Sequence, residues 1–375
     1  MTDLAGLRAR FPALERVTYL HTATAAPGSL PVLTALRRVQ EEWESGEFSW
    51  QGWEADGEAT RELFAGLVGG KAEEVALVTS VSEAAATVAA SLPRGRVVVG
   101  EREFRSNLFP WLALRARGYD VVEVPARDGV VPTEALAAAT TDGTVLVAVT
   151  EVQSSNGFRV HLADLGARCR EVGARLFVDS AQSLGALRLD AATVGADYVA
   201  AHGYKWMLCP RGAAWLWVRP GRLGELAPLT PLAPLAPNWK TVEDPYAEYY
   251  GGPLTPAPDA RKLDASMVWF SWPGARAALE LLASLDVAEV EARCLGLAAA
   301  FREAATAKGF RLVPEEAPTQ VLGVRVPDPR AVRERLLERK VIAAVRDDLL
   351  RLGFHAYNDE GDVTAALEAL GTVRG

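Results

Sequence analysis

Cysteine, histidine and lysine are scarce in this chain, and each scarcity removes a class of function. The three cysteines, Cys169, Cys209 and Cys294, stand far apart and odd in number. They form no disulfide framework and no Cys-x-x-Cys pair, so reduced thiols in a cytoplasmic protein are expected. Four dispersed histidines, His21, His161, His202 and His355, offer no metal spacing, and no metal is expected. No apolar run is long enough for a membrane span, and the amino terminus has no basic segment leading into an apolar core, so neither membrane nor signal peptide is expected. A formal charge of -8 leaves no basic surface for nucleic acid. Gly-x-Gly-x-x-Gly and Gly-x-Ser-x-Gly turns are missing, and Gly69-Gly70-Lys71-Ala72 lacks the leading glycine and the Ser/Thr of a P-loop.

What is present is a long alternation of strands and helices. With 375 residues, 49% of them apolar, the chain is large enough for one big domain and a smaller one. Strands are expected at Val75 to Thr79, Arg96 to Val99, Asp120 to Val124, Val145 to Val149, Arg175 to Val178, Tyr198 to Ala201 and Ala213 to Val218. Helices fall among them, including Glu83 to Ser91, Leu108 to Arg117 and a short one near Asp190 to Val194. This pattern predicts an α/β fold with a seven-stranded, mainly parallel sheet. Residues 1–30 read as an N-terminal arm, 31–272 as the large domain and 273–375 as a small α+β C-terminal domain. Phe48, Trp50 and Trp53 around Gly52 suggest an aromatic loop before a helix at Glu58 to Val68, and Leu223 to Asn238 a proline-rich structured crossing. In the small domain a single strand is expected over Val341 to Val345, followed by another at Leu349 to Gly353.

Of the six lysines, five lie in turns, polar connections or helix ends; Lys205 alone follows a buried strand. Dehydration there disfavours the ammonium and leaves an amine able to attack a carbonyl. The plainer alternative, a salt bridge at a sheet edge, is equally open from this stretch alone. Asp179 tips the balance. It ends the apolar Ala174 to Val178 strand and so emerges at the carboxyl edge of the same sheet, where α/β proteins bind ligands. A lysine that forms a Schiff base and a buried acid that keeps a ring nitrogen protonated suit pyridoxal 5'-phosphate.

Further candidates follow other strands. Ser80, Val81 and Ser82 open a helix whose free amides suit a phosphate, although Ser-x-x-Glu is equally a capping box. Phe104 follows the next strand and either lies on the cofactor ring or packs in the core. Gln153, Ser154, Ser155 and Asn156 follow another strand, within reach of a ring hydroxyl or a substrate. Arg351 suits a substrate carboxylate because guanidinium binds it bidentately; a surface arginine is the plainer reading.

Val178-Asp179-Ser180-Ala181-Gln182, His202-Gly203-Tyr204-Lys205-Trp206 with Pro210-Arg211-Gly212, and Arg351-Leu352-Gly353-Phe354-His355-Ala356-Tyr357-Asn358 resemble the class V aminotransferase family of pyridoxal-phosphate enzymes, fold type I. That family includes cysteine desulfurases, selenocysteine lyases, kynureninases and isopenicillin N epimerase-like proteins. The resemblance implies that Lys205 bonds to the cofactor, that Asp179 meets the pyridine nitrogen and that Gln182 meets the ring hydroxyl. It implies phosphate contacts from Ser80 to Ser82 and from His202, cofactor contact by Ser154, and a substrate-carboxylate clamp at Arg351. It further implies a homodimer, with a neighbouring loop from around Met267 to Ser271 completing the phosphate site. Four positions depart from the pattern: Phe104 stands where many members stack a histidine, Ser154 where asparagine is common, Tyr204 where a histidine precedes the lysine, and Cys209 where glycine is usual. No cysteine lies before Arg351 where a desulfurase carries its nucleophile. The expected activity is amino-acid chemistry of the aminotransferase type, with a lyase or epimerase reaction, or a cofactor-binding sensor without turnover, as alternatives.

Overall fold

The computed structural model describes residues 4–225 and 235–371. From the amino terminus, α1 (Leu4–Leu7) leads to β1 (Thr18–Tyr19), α2 (Leu30–Ser45) and α3 (Trp50–Val68). Then come β2 (Val75–Val78), α4 (Val81–Ala90), β3 (Arg96–Gly100), α5 (Arg105–Leu112), β4 (Asp120–Val124), α6 (Thr133–Ala139), β5 (Thr144–Thr150), α7 (Leu162–Val172), β6 (Arg175–Asp179), β7 (Tyr198–His202) and β8 (Ala214–Val218). β2 to β8 form one sheet in the order β2-β8-β7-β6-β5-β3-β4. Only β8 runs against its neighbours. β5 to β8 are buried on both faces, which explains why these strands read as continuous Val, Leu and Ala runs rather than alternating ones. The expected α/β fold with a seven-stranded, mainly parallel sheet is therefore present.

The carboxyl half holds α8 (Arg222–Glu225), α9 (Trp272–Ala283), α10 (Val287–Ala307), β9 (Arg311–Leu312), β10 (Val321–Arg325), α11 (Pro329–Glu338), β11 (Val341–Ile342), β12 (Ala344–Arg346), β13 (Leu349–Gly353) and α12 (Glu360–Leu370). A four-stranded antiparallel sheet, β12-β13-β10-β9, packs on α10, α11 and α12 through Phe301, Leu336, Leu350, Phe354 and Ala366. β1 pairs in parallel with β11, fastening the amino-terminal segment beside this sheet.

Four expectations are corrected. The aromatic loop is instead the first turns of α3: Ser49 caps the helix by accepting from the Gly52 N–H at 3.1 Å, and Trp53 donates to Glu42 at 2.8 Å. Gly52 reads as a breaker in sequence, yet a glycine in the first turn costs little once the cap is made. The segment 191–195 is a run of turns, not a helix. The expected helix over 108–117 starts earlier, at Arg105, and tightens into a 3-10 helix at Ala113–Arg117, downstream of Pro110. The strand expected over Val341 to Val345 is two strands, β11 and β12, that join different sheets on either side of Ala343. The expected crossing at Leu223 to Asn238 lies largely outside the described residues.

Candidate active site

Five strands of the large sheet deliver their carboxyl ends to one edge. Beyond β2 lies the start of α4, beyond β3 Phe104, and beyond β5 Ser154; Asp179 ends β6, and His202 ends β7 shortly before Lys205. This is the edge at which side chains from separate strands converge in open α/β sheets. Val81, Phe104, Ser106, Thr150, Ser154, Asp179, Ala181, Gln182, His202 and Lys205 line one narrow cavity.

The loop carrying Lys205 is held tightly from behind. Gly185, at φ 98°, lets the segment after Asp179 approach so closely that a Cβ there would lie 2.5 Å from the Trp206 carbonyl oxygen. Trp206 donates its indole N–H to Gln182 Oε1 at 2.9 Å, and its ring stacks on His355 at 5.7 Å, which in turn stacks on Tyr357 at 4.9 Å. The His355 to Asn358 part of the third motif thus supports the lysine loop rather than the cavity.

Lys205 is buried and makes no ion pair among the described residues. Its Nζ lies 5.8 Å from the Phe104 ring centre and 5.6 Å from that of Tyr204. Burial pushes its pKa down to about 8, with Arg351 and Arg346 acting in the same direction against the opposing charge of Asp179. Asp179 is also buried. It accepts from the Ala181 N–H at 2.9 Å, and burial raises its pKa against that bond, Lys205 and Thr150. Neither partner of this acid and amine forms a direct ion pair with the other, so each retains unmet polarity facing the cavity.

His202 Nε2 accepts from the Val81 N–H at 3.4 Å, which places the imidazole proton of a neutral ring on Nδ1. Burial, then Lys205 and Arg211, lower its pKa to about 3. Ser80 caps α4 by accepting from the Glu83 N–H at 3.1 Å, and its oxygen lies 3.0 Å from that of Ser82. Gln182 Nε2 donates to Ala23 O and to Ser154 Oγ, both at 2.9 Å. Phe104 is 51% exposed and forms the outer wall of the cavity, so it is not a core aromatic.

Arg351, on β13, is 2% exposed, yet no carboxylate pairs with it among the described residues. It donates to the carbonyl of Ser154, to Ser154 Oγ at 3.4 Å and to Thr24 Oγ1 at 2.6 Å. Burial and the neighbouring Arg346 lower its pKa to about 9. Thr24 and Arg346 escaped the sequence reading. The hairpin alternation that places 344, 346, 349 and 351 on one face was the available signal for Arg346; nothing local marked Thr24.

The residues present fit pyridoxal phosphate. A desolvated lysine without a partner, a buried carboxylate without a cation and a capped helix start surround one cavity, each complementary to a different end of that cofactor. Fold and site define a pyridoxal-phosphate-dependent enzyme of fold type I. The family model for aminotransferase class-V matches residues 19–365, and the chain belongs to that family. It is 31% identical over 372 residues to the uncharacterized aminotransferase YcbU of Bacillus subtilis (strain 168), covering 97% of this chain and 96% of the relative. It is also 28% identical over 337 residues to an isopenicillin N epimerase of Amycolatopsis lactamdurans, covering 83% of each. Among solved structures, the apo cysteine desulfurase of Thermococcus onnurineus NA1 superposes with a TM-score of 0.81 at 21% identity, covering 97% of this chain and 96% of that one.

Proposed function

We propose that the protein transfers the amino group of an amino acid to an acceptor, with Lys205 and Arg351 as the two residues that meet the substrate. The observation that carries this reading is that, among the described residues, both are buried cations without an acidic partner, Lys205 lining the cavity and Arg351 bonded to Ser154 in its wall. An unpaired buried charge is costly and is retained where a ligand supplies the missing partner. Bound in the cavity, pyridoxal phosphate supplies an aldehyde that holds the substrate amine and a ring that draws electron density from its α-carbon.

Arg351 would hold the α-carboxylate, with Ser154 and Thr24 fixing the plane of its guanidinium. Lys205 Nζ, with its pKa near 8, is neutral often enough at physiological pH to take up the α-proton and return it elsewhere. Asp179 would keep a proton on the ring nitrogen, and the backbone amides of the α4 start, with Ser80, Ser82 and His202, would receive the phosphate. Ser154 and Gln182 are assigned the ring hydroxyl, with Gln182 exchanging its present bond to Ser154. Phe104 covers the outer face and, having no titratable group, moves no proton. A persulfide route is disfavoured because all three cysteines are free and buried, and burial raises each thiol.

We further propose a cytoplasmic homodimer divided at 31–272 and 273–375, with 1–30 as an arm. Exposed Trp43, Tyr250, Trp269 and Phe270 support a second copy on that face, and the apolar cluster between the small sheet and α10, α11 and α12 supports a small domain, joined to the large one by a core that both share. Among the described residues no helix is long and apolar enough to cross a membrane. The test is a single turnover of the cofactor-loaded protein with a panel of amino acids, followed by absorbance and by assay for the 2-oxo acid. Stoichiometric 2-oxo acid with pyridoxamine phosphate left on the protein is expected. Elimination or epimerisation would return the starting spectrum, and a spectrum unmoved by every amino acid would leave a sensor.

A further inference from the structure

Two arginines, not one, converge on Thr24 beside this site, and among the described residues neither meets an acid. Arg346 Nη2 lies 3.0 Å from Thr24 Oγ1, the same oxygen that Arg351 Nη2 approaches to 2.6 Å. A hydroxyl oxygen accepting from two cations relieves little of their mutual repulsion, since it carries no charge of its own. Both side chains rise from one face of the β12–β13 hairpin. Among the described residues the remaining polar atoms of Arg346 reach only its neighbour's carbonyl, Val345 O, at 2.8 Å. His21 beside them is no counter-ion: its Nδ1 is buried without a partner, and burial with Arg351, Arg346 and Arg333 holds it neutral.

The two arginines do not face the same space. Arg346, with Arg330, Arg333, His21 and Glu334, lines an outer hollow of about 510 Å³, whereas Arg351 takes no part in it and is tied to Ser154. Three guanidiniums against one carboxylate leave that hollow electropositive in a chain whose overall charge is -8. One carboxylate held by Arg351 would leave Arg346 and the hollow uncompensated.

We propose that the substrate is an amino acid with a second carboxylate at the end of its side chain, bound by Arg346 and the hollow it lines while Arg351 holds the α-carboxylate. This rests on the reaction proposed above for the assignment of the α-carboxylate, but the preference for a dianion is measurable without turnover. Arg346 is thus a specificity-determining residue, and chains with a neutral amide in place of the distal carboxylate leave it unpaired.

Titration calorimetry on the cofactor-loaded protein, with L-glutamate against L-glutamine and L-2-aminoadipate against its amide, tests this. At least one acid should bind at least about tenfold tighter than its amide. In R346Q that ratio should fall to within about twofold, while R346K should retain most of it. Acid-to-amide ratios near one for both pairs in the wild-type protein would overturn the proposal. So would an R346Q variant that weakens acid and amide in parallel, since both arginines would then share one carboxylate. Should R346Q not fold, R333Q, at an exposed position of the same hollow, replaces it: a lower ratio supports the proposal and an unchanged one sinks it. Absorbance recorded in the same titration separates the two proposals. Acid preference with an unmoved cofactor band removes the reaction and leaves the anion site; a moving band without acid preference does the reverse.

Discussion

Two buried clusters of charge in this molecule use the same residue types to opposite ends. In one, Lys240 meets Glu54 at 3.0 Å and Glu58 at 2.7 Å, while Arg61 meets Glu58 at 2.7 Å and both oxygens of Asp264. Burial pulls both cations towards neutrality, but the acids outweigh it and both end above their ordinary values. In the other cluster Lys205 and Arg351 are as deeply buried, lack such partners, and fall to about 8 and about 9. Desolvation is common to both; pairing decides whether a buried cation locks a fold or waits for a ligand.

The largest effect expected on this contrast is from Lys205→Ala. Turnover should drop on the order of 10⁴-fold, with loss of the visible absorption band of the lysine–cofactor bond, while Lys240→Ala should leave that band in the folded fraction. Next, Arg61→Gln and Arg351→Gln should diverge. Arg61→Gln strands Asp264 in the interior and should cost about 3–5 kcal/mol in urea unfolding. Arg351→Gln removes a charge that no acid answers, so stability should hold or rise while kcat/KM falls roughly 10²- to 10³-fold. A kinetic loss confined to Arg61→Gln would erase the distinction.

A smaller effect should appear with pH in the cofactor-free protein. Lys205 has a folded pKa of about 8, below the value of roughly 10.4 for a free lysine. Between those two pH values the unfolded chain binds more protons, so stability rises with pH through that window, and below about pH 8 the full penalty is present. Lys205→Met should flatten this slope in denaturant titrations from pH 7.5 to 10.5, and an unchanged slope would assign it to another group. Smallest of all, Cys209→Ala should alter turnover less than about twofold. Its thiol is packed against Met207 O and Ala275 O at 3.3 and 3.8 Å and raised by burial, and alkylating reagents should not modify it in the native state.

Strand legibility followed from burial. β2 and β5 to β8 are apolar on both faces, so even a periodicity-free reading finds them, and the acid or amine that follows such a run stands out as a place where a charge enters the interior. Hence Asp179 and Lys205 could be placed at one edge from the chain alone, whereas His202 came only with the family resemblance. The errors arose where a local signal was answered by a tertiary one. Gly52 and its aromatics looked like a loop, but the Ser49 cap and the Trp53 to Glu42 bond make a helix. Ala343 carries no mark of the switch between sheets that it performs, because pairing with β1 depends on residues more than 300 positions away.

By itself the amino-acid sequence determined the layered α/β architecture and the cofactor class and singled out Lys205 as the candidate to serve it, because periodicity, strand-end polarity and motif order are local properties. Only the tertiary structure decided that Arg351 is buried without an acid among the described residues, that Thr24 joins it to Arg346, and that Arg346 alone of the two lines the outer hollow. Charge pairing is a relation between distant parts of the chain, and no spacing along the chain records it.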